Sequence, residues 1–363
     1  MATDDSPRVI GGRATLYRLY DVGFEVDLAR AAQLAAPDTT GHPRPRRGEA
    51  AAIVTPRPPL TVDPVGESGI TAAIFDFGVV SMRLQVSAQA DESWDAFVRF
   101  AGGVHNGAEP RAKLDRRVRE LLQRLRPAVV RPTIADVAEE YIVFRADRLC
   151  AADGGGFAPS RLPADALGRL LLNESRPLSP SALQELLPHR FGYTQEDFVA
   201  LTWESALVIE PERHDEDVEY VLEFANAQLL ELRVFDAVLD AELPRMYDRV
   251  AAVRTASPVQ VARPYRRLLA ELQTRVADVT DIVERAENAF KVTDDVYLAR
   301  VYSAALEIFR GAAWRRGIDR KLGIMRETYE MLNAESQAVR AEALELAIVL
   351  LIVVEVVMSF VRG

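Results

Sequence analysis

The last forty-odd residues, from Ile318 to Phe360, constrain this chain most. Ile318, Leu322, Met325, Tyr329, Leu332, Ser336, Val339, Ala343, Leu346, Leu350, Val353, Val357 and Phe360 follow one another at the 4-3 spacing of a coiled coil. All but Ser336 are apolar or aromatic. The opposite face is charged as far as Glu345 and then turns apolar from Leu346 to Val361, broken only by Glu355 and Ser359. A single helix therefore leaves water and enters an apolar phase, either a membrane or a protein core. The run from Leu346 to Val361 rises roughly 24 Å as helix, against about 30 Å for a bilayer's hydrocarbon core, so length alone leaves both open.

The run from Leu344 through Leu346 and Ile348 to Glu355 resembles the terminal signature of the "required for meiotic nuclear division" family. That signature is Leu-Glu-Trp, an Ile/Leu-rich run and a second glutamate; here Leu346 stands where Trp is usual. A second block, Ile74-Phe75-Asp76-Phe77-Gly78-Val79-Val80, is similar to the family's apolar strand ending in aromatic-Gly-Val-Val. The resemblance implies a bacterial relative of a mitochondrial inner-membrane protein that supports organellar translation. Its terminal helix would be a membrane anchor preceded by long helices.

With 363 residues and 49% hydrophobic content, the chain can bury more than one core. A net charge of −10 disfavours nonspecific binding to phosphate backbones by the whole protein, leaving only local basic patches. Only three of the 44 basic residues are lysine, a bias typical of a high-GC bacterial genome. The single cysteine, Cys150, excludes an internal disulfide, and four scattered histidines add no cysteine-rich zinc site. Met1 to Arg8 carries two aspartates and no apolar run, unlike a secretory or transit peptide.

Along the chain, Ala14–Tyr20 reads as a strand and Val26–Ala35 as a helix closed by Pro37. Ala50–Val54 and Leu60–Val62 are short strand candidates. Ile70–Val86 is the strongest strand signal, read as one strand kinked at Asp76 and Gly78. Helices at Ser93–Ala101 and Ala112–Leu125 and a strand at Glu140–Phe144 complete an α+β domain over residues 1–150, built on a mostly antiparallel sheet. Residues 151–215 read as a linker, around Gly154, Gly155 and Gly156, with short helices and an ambiguous apolar stretch at Phe198–Ile209. Residues 216–340 read as an all-α antiparallel helical or coiled-coil stalk, with one long helix from about Asp217 to Val253 and a second 4-3 seam from Tyr265 to Phe290. Residues 341–363 form the C-terminal hydrophobic helix.

Chemistry-bearing motifs are few. Asp76-Phe77-Gly78 matches the magnesium-binding triplet of protein kinases, but no Gly-rich loop, strand lysine or His-Arg-Asp loop precedes it, which favours the kink. The three glycines at 154–156 lack the Lys-Ser/Thr that completes a phosphate loop. The dense basic segment, Arg111 to Arg131, includes Arg116, Arg117, Arg124 and Arg126 and alternates with Leu114, Val118, Leu121 and Leu125. That pattern is first an amphipathic helix with a solvated face and second a patch for RNA or another anionic partner. No catalytic, cofactor or metal residues are expected.

The expected protein is a non-enzymatic, oligomeric scaffold or tether in the bacterial cytoplasmic membrane, with most of the chain cytoplasmic. Leu346, Ile348, Leu350, Ile352, Val353, Val357 and Phe360 would form its membrane helix, and Glu345 and Glu355 would meet a second copy. Basic residues before the helix, from Arg315 to Arg340, against Arg362 alone after it, set that orientation. The alternatives are a translation-associated factor contacting RNA or the ribosome at the membrane and, third, an enzyme whose site the sequence does not reveal.

Overall fold

The computed structural model describes residues 6–35, 46–47, 59–63, 69–134, 137–174, 176–187, 189–211, 216–254, 270, 274, 277 and 295–362. It is an α+β fold with a large multi-stranded N-terminal sheet and helices toward the C-terminus. The strand candidate Ala50–Val54 and the seam residues from Tyr265 to Phe290 lie outside the described residues.

Among the described residues the main sheet has nine strands. At its centre Arg13–Asp21 pairs antiparallel with Val79–Ser87 on one side and Ala138–Ala146 on the other. Ile70–Ile74, Leu60–Val62 and Arg46–Arg47 extend the first side, all antiparallel. On the other side Ser205–Ile209 pairs parallel to Ala138–Ala146, followed by Phe198–Leu201 and the edge strand His189–Phe191. A parallel neighbour needs a long crossover, and residues 147–204 supply it with the helices Ala164–Leu171 and Pro180–Leu186. The glycines at 154–156 thus sit inside a crossover of one sheet. The stretch beyond them, read from sequence as helical or ambiguous, contributes three of its strands.

Ile70–Val86 is a hairpin, not a single kinked strand. Ile70–Ile74 folds back on Val79–Ser87, with Ile74 opposite Val80 and Ile70 opposite Leu84. Between them the Phe75 N–H donates to the Val79 carbonyl at 2.9 Å and the Gly78 N–H to the Phe75 carbonyl at 3.3 Å. Asp76, Phe77 and Gly78 therefore make a three-residue hairpin loop, whose last position requires a left-handed backbone. Gly78 meets that requirement with φ +98°.

Alternation along the strands creates two unlike faces. Leu16, Ile74, Met82, Ile142 and Phe144 join Phe97, Leu114 and Leu121, from the helices Trp94–Asn106 and Ala108–Leu125, in an apolar core. The alternate positions Tyr17, Arg83, Glu139 and Arg145 project from the other face, toward the 38-residue helix Asp217–Arg254.

The chain divides into two compact units, residues 1–234 with 288–312 and residues 235–287 with 313–363. The second contains most of the 52-residue helix Gly311–Arg362. Within it Ile318, Leu322 and Met325 of the expected seam are buried, as are Leu239, Met246 and Val250. Lys321 Nζ bridges Asp236 and Asp240, each at 2.6 Å.

Candidate functional site

Among the described residues, the end of the helix Gly311–Arg362 carries the longest run of exposed large hydrophobic side chains. From Ile348 to Met358 every side chain except Glu355 is a large hydrophobe between 47% and 66% exposed. Ile348, Leu350, Ile352, Val353 and Val357 are among them, whereas the side chains of Leu346 and Phe360 lie outside the described residues. Glu345 and Glu355 are both exposed. Eleven consecutive positions make three full turns, so the apolar surface encircles the helix instead of forming a stripe. The described stretch rises only about 16 Å. Among the described residues no helix is long and apolar enough to cross a membrane.

The basic segment forms the helix Ala108–Leu125, with Leu114, Val118, Leu121 and Leu125 buried. Part of its charge is spent on packing. Arg111 Nε donates to Glu140 at 2.9 Å, and Asp115 accepts from Arg18 Nε at 2.8 Å and from the Tyr20 hydroxyl at 2.6 Å. Arg117 pairs with Glu120 at 2.7 Å. Arg116, Arg124 and Arg126 are exposed, the solvated face that the amphipathic pattern implies.

A shallow cleft of about 480 Å³ lies between the edge strand His189–Phe191 and the helix Val296–Ile308. There His189 Nε2 stands 3.8 Å from Glu307, and the Arg300 guanidinium lies 5.6 Å from the centre of the Phe191 ring. Among the described residues no three or more acidic, histidine or cysteine side chains converge as a metal site.

Sequence reasoning missed the most concentrated chemistry, a layer of buried charge between the sheet and the helix Asp217–Arg254. Arg83 binds Glu223 with both ends of its guanidinium, Nε to Oε1 at 2.7 Å. Arg145 pairs with Glu219 and stands 3.6 Å from Glu210, and Arg233 reaches down to Glu139. Beside them Asp21 accepts the Gly23 N–H at 3.0 Å, and Glu231 is buried with its Oε1 unpartnered. Burial pushes the Asp21 carboxyl up to about 6, against the opposing Gly23 hydrogen bond. It raises Glu210 to about 7, reinforced by Glu219 and opposed by Arg145. Glu231 is held well above the carboxylate range by burial and by the negative charge of Asp21. Burial disfavours the charge on Arg83, and the adjoining Glu223 overcomes that cost and raises its pKa.

These pairs orient the helix. Glu219 sits over Arg145 and Arg233 over Glu139, so the helix runs opposite to the strand Ala138–Ala146. The 14 residues between the helix partners rise about 21 Å, and the six between the strand partners about 20 Å, so both pairs close at once. The signal legible in sequence was Glu219, Glu223 and Glu231 at multiples of four within a mostly apolar stretch that also holds Asn226 and Gln228.

Comparison with known proteins places this architecture. Residues 11–216 match the family model described as "Uncharacterized protein MJ0711, N-terminal domain", a stretch that contains every strand of the main sheet and stops where the long helix begins. The chain is similar to the uncharacterized protein MJ0711 of Methanocaldococcus jannaschii, 22% identical over 196 residues. That alignment covers 54% of this chain and 59% of the relative's length. No solved structure matches. The Ile74–Val80 block lies within the matched residues and the terminal Leu344–Glu355 block beyond them, and neither match carries the meiotic-division name. Since the matched residues make up more than half of the chain, the protein belongs to the family of the MJ0711 N-terminal domain.

Proposed function

We propose that this protein is a non-enzymatic tether, its sheet-bearing unit held at a lipid surface by the end of the helix Gly311–Arg362. The observation that carries the reading is the uncovered apolar cylinder from Ile348 to Met358. A second helix in water would cover one stripe of it and leave the rest wet, whereas lipid covers every direction at once. At about 25 cal/mol per Å² of apolar area, ten such side chains favour burial by on the order of 10 kcal/mol, enough to offset one embedded glutamate. The helix end enters the bilayer from the cytoplasmic side of a bacterial membrane, because basic residues crowd the side before it.

The test is carbonate extraction of membranes holding the full chain or a chain ending at Glu345. The full chain should stay with the membrane and the shortened one should move to the supernatant. Equal extraction of both would overturn the reading.

A second reading, contact with RNA or the ribosome at the membrane, draws on the exposed Arg116 and Arg124 of the helix Ala108–Leu125 and on Arg126 just past its end. Replacing the three with glutamine should then lower RNA affinity and flatten its salt dependence. Affinity and salt slope unchanged by the substitutions would remove it.

A further inference from the structure

We infer that the cleft beside the edge strand His189–Phe191 is a docking groove for a short extended peptide segment, which adds one strand to the main sheet and sets a carboxylate against Arg300. Strand and cleft belong to one unit, since the helix Val296–Ile308 lies within residues 288–312. The strand closes one end of the sheet and pairs with Phe198–Leu201 alone. Among the described residues no backbone group bonds to its outer edge, so the N–H and C=O groups directed that way lack a backbone partner. An extended chain satisfies such an edge, because its own backbone supplies donors and acceptors at the matching spacing. The edge is only three residues long and holds the exposed Arg190 at its centre, which accommodates one short segment and resists open-ended sheet growth.

The helix beside the edge sets what the segment must carry. His189 and Phe191 project from one side of the strand into the cleft, and the helix faces them with Ala299, Ser303 and Ala304, whose small side chains leave it open. Val296, Arg300 and Ala304 follow one another at one-turn intervals of about 6 Å, close to the roughly 6.7 Å between alternate residues of a strand. Alternate side chains of the segment therefore meet these three in turn. One apolar side chain enters the cleft over Ala304 and Ser303. A carboxylate meets Arg300, which is exposed against the Phe191 ring and, among the described residues, has no carboxylate of its own. A second apolar side chain covers Val296, 76% exposed at the helix end where Tyr193, 78% exposed, packs 5.8 Å from the Tyr297 ring. The order apolar-x-acid-x-apolar reads alike in both directions, so it holds for a parallel or an antiparallel segment.

The test is fluorescence anisotropy of a labelled peptide, Lys-Thr-Val-Thr-Asp-Thr-Val-Thr-Lys, titrated with the full chain in a mild detergent that covers its apolar helix end. Saturable binding is expected, weakened several-fold by Ser303→Trp, which fills the cleft from an exposed position on the helix. Methylating alternate backbone amides of the peptide should weaken binding for one set and spare the other, because only one edge of an added strand faces the sheet. Arg300→Glu should reverse the charge preference: the aspartate peptide loses affinity several-fold, and the same peptide with lysine in place of aspartate then binds better than it. A preference unchanged by Arg300→Glu, an affinity indifferent to Ser303→Trp, equal effects of the two methylated sets, or no saturable binding up to about 1 mM would overturn the groove.

Discussion

Gly78 and Gly23 stand so close that a Cβ added to Gly78 would lie 1.8 Å from the Gly23 carbonyl oxygen. The contact is fixed from both sides, because the Val22 N–H donates to the Gly78 carbonyl at 2.9 Å and Gly78 lies at φ +98°. Even the smallest side chain meets backbone atoms of the neighbouring segment, which have no rotamer to change.

Gly78→Ala should therefore destabilise the N-terminal unit by about 3 kcal/mol or more, combining left-handed strain with the overlap. Urea unfolding followed by circular dichroism measures it. A midpoint unchanged by the substitution would contradict the close approach.

Breaking one buried ion pair should cost more than removing it. The Glu223 side chain is 1% exposed and that of Arg83 18%, so Glu223→Ala strands a guanidinium between sheet and helix. A loss of about 3–5 kcal/mol is expected, whereas Arg83→Met with Glu223→Leu together should recover most of it. The comparison is made in equilibrium denaturation of the single and double variants. A double variant as unstable as Glu223→Ala would mean that the pair itself, and not the orphaned charge, matters.

Stability should fall as pH rises through neutrality. Asp21 at about 6 and Glu210 at about 7 both lie above their unfolded values of about 3.9 and 4.3. For a carboxyl raised by folding, the unfolded chain releases its proton first. The contribution is complete below about pH 4 and is lost as pH climbs through 6 and 7. Asp21→Asn and Glu210→Gln should each flatten part of that slope in thermal melts between pH 5 and 8. Identical slopes in wild type and both variants would show that folding does not raise the proton affinity of either carboxyl.

Glu231→Gln tests a buried carboxyl whose Oε1 has no hydrogen-bond partner. The amide keeps the shape and carries no charge, so the variant should match wild type at pH 5 and exceed it at pH 9. Greater wild-type stability at pH 9 would point to a cation partner for Glu231.

Local pattern was enough for much of the sheet's first half. The strand Arg13–Asp21, the short strand Leu60–Val62, the stripe of Ala108–Leu125 and the buried Ile318, Leu322 and Met325 all follow from periodicity, since each side chain's burial is set by its own element's repeat. The Ile70–Val86 signal was right about strand and wrong about number. Phe75 and Val79 are as apolar as their neighbours, and only the φ of Gly78 reverses the chain.

What the sequence determined by itself, then, is where apolar side chains gather, including the run that begins at Leu346. Tertiary structure alone decided which distant segments share a layer. Ser205–Ile209 lies parallel to Ala138–Ala146 across a crossover of some sixty residues, and Arg83 meets Glu223 from 140 positions away. A charged residue in an apolar strand or helix states only that a partner is needed, because burial of a charge is tolerable when an opposite one arrives. The partner's identity depends on how helix and sheet lie against each other, and no periodicity along the chain contains that direction.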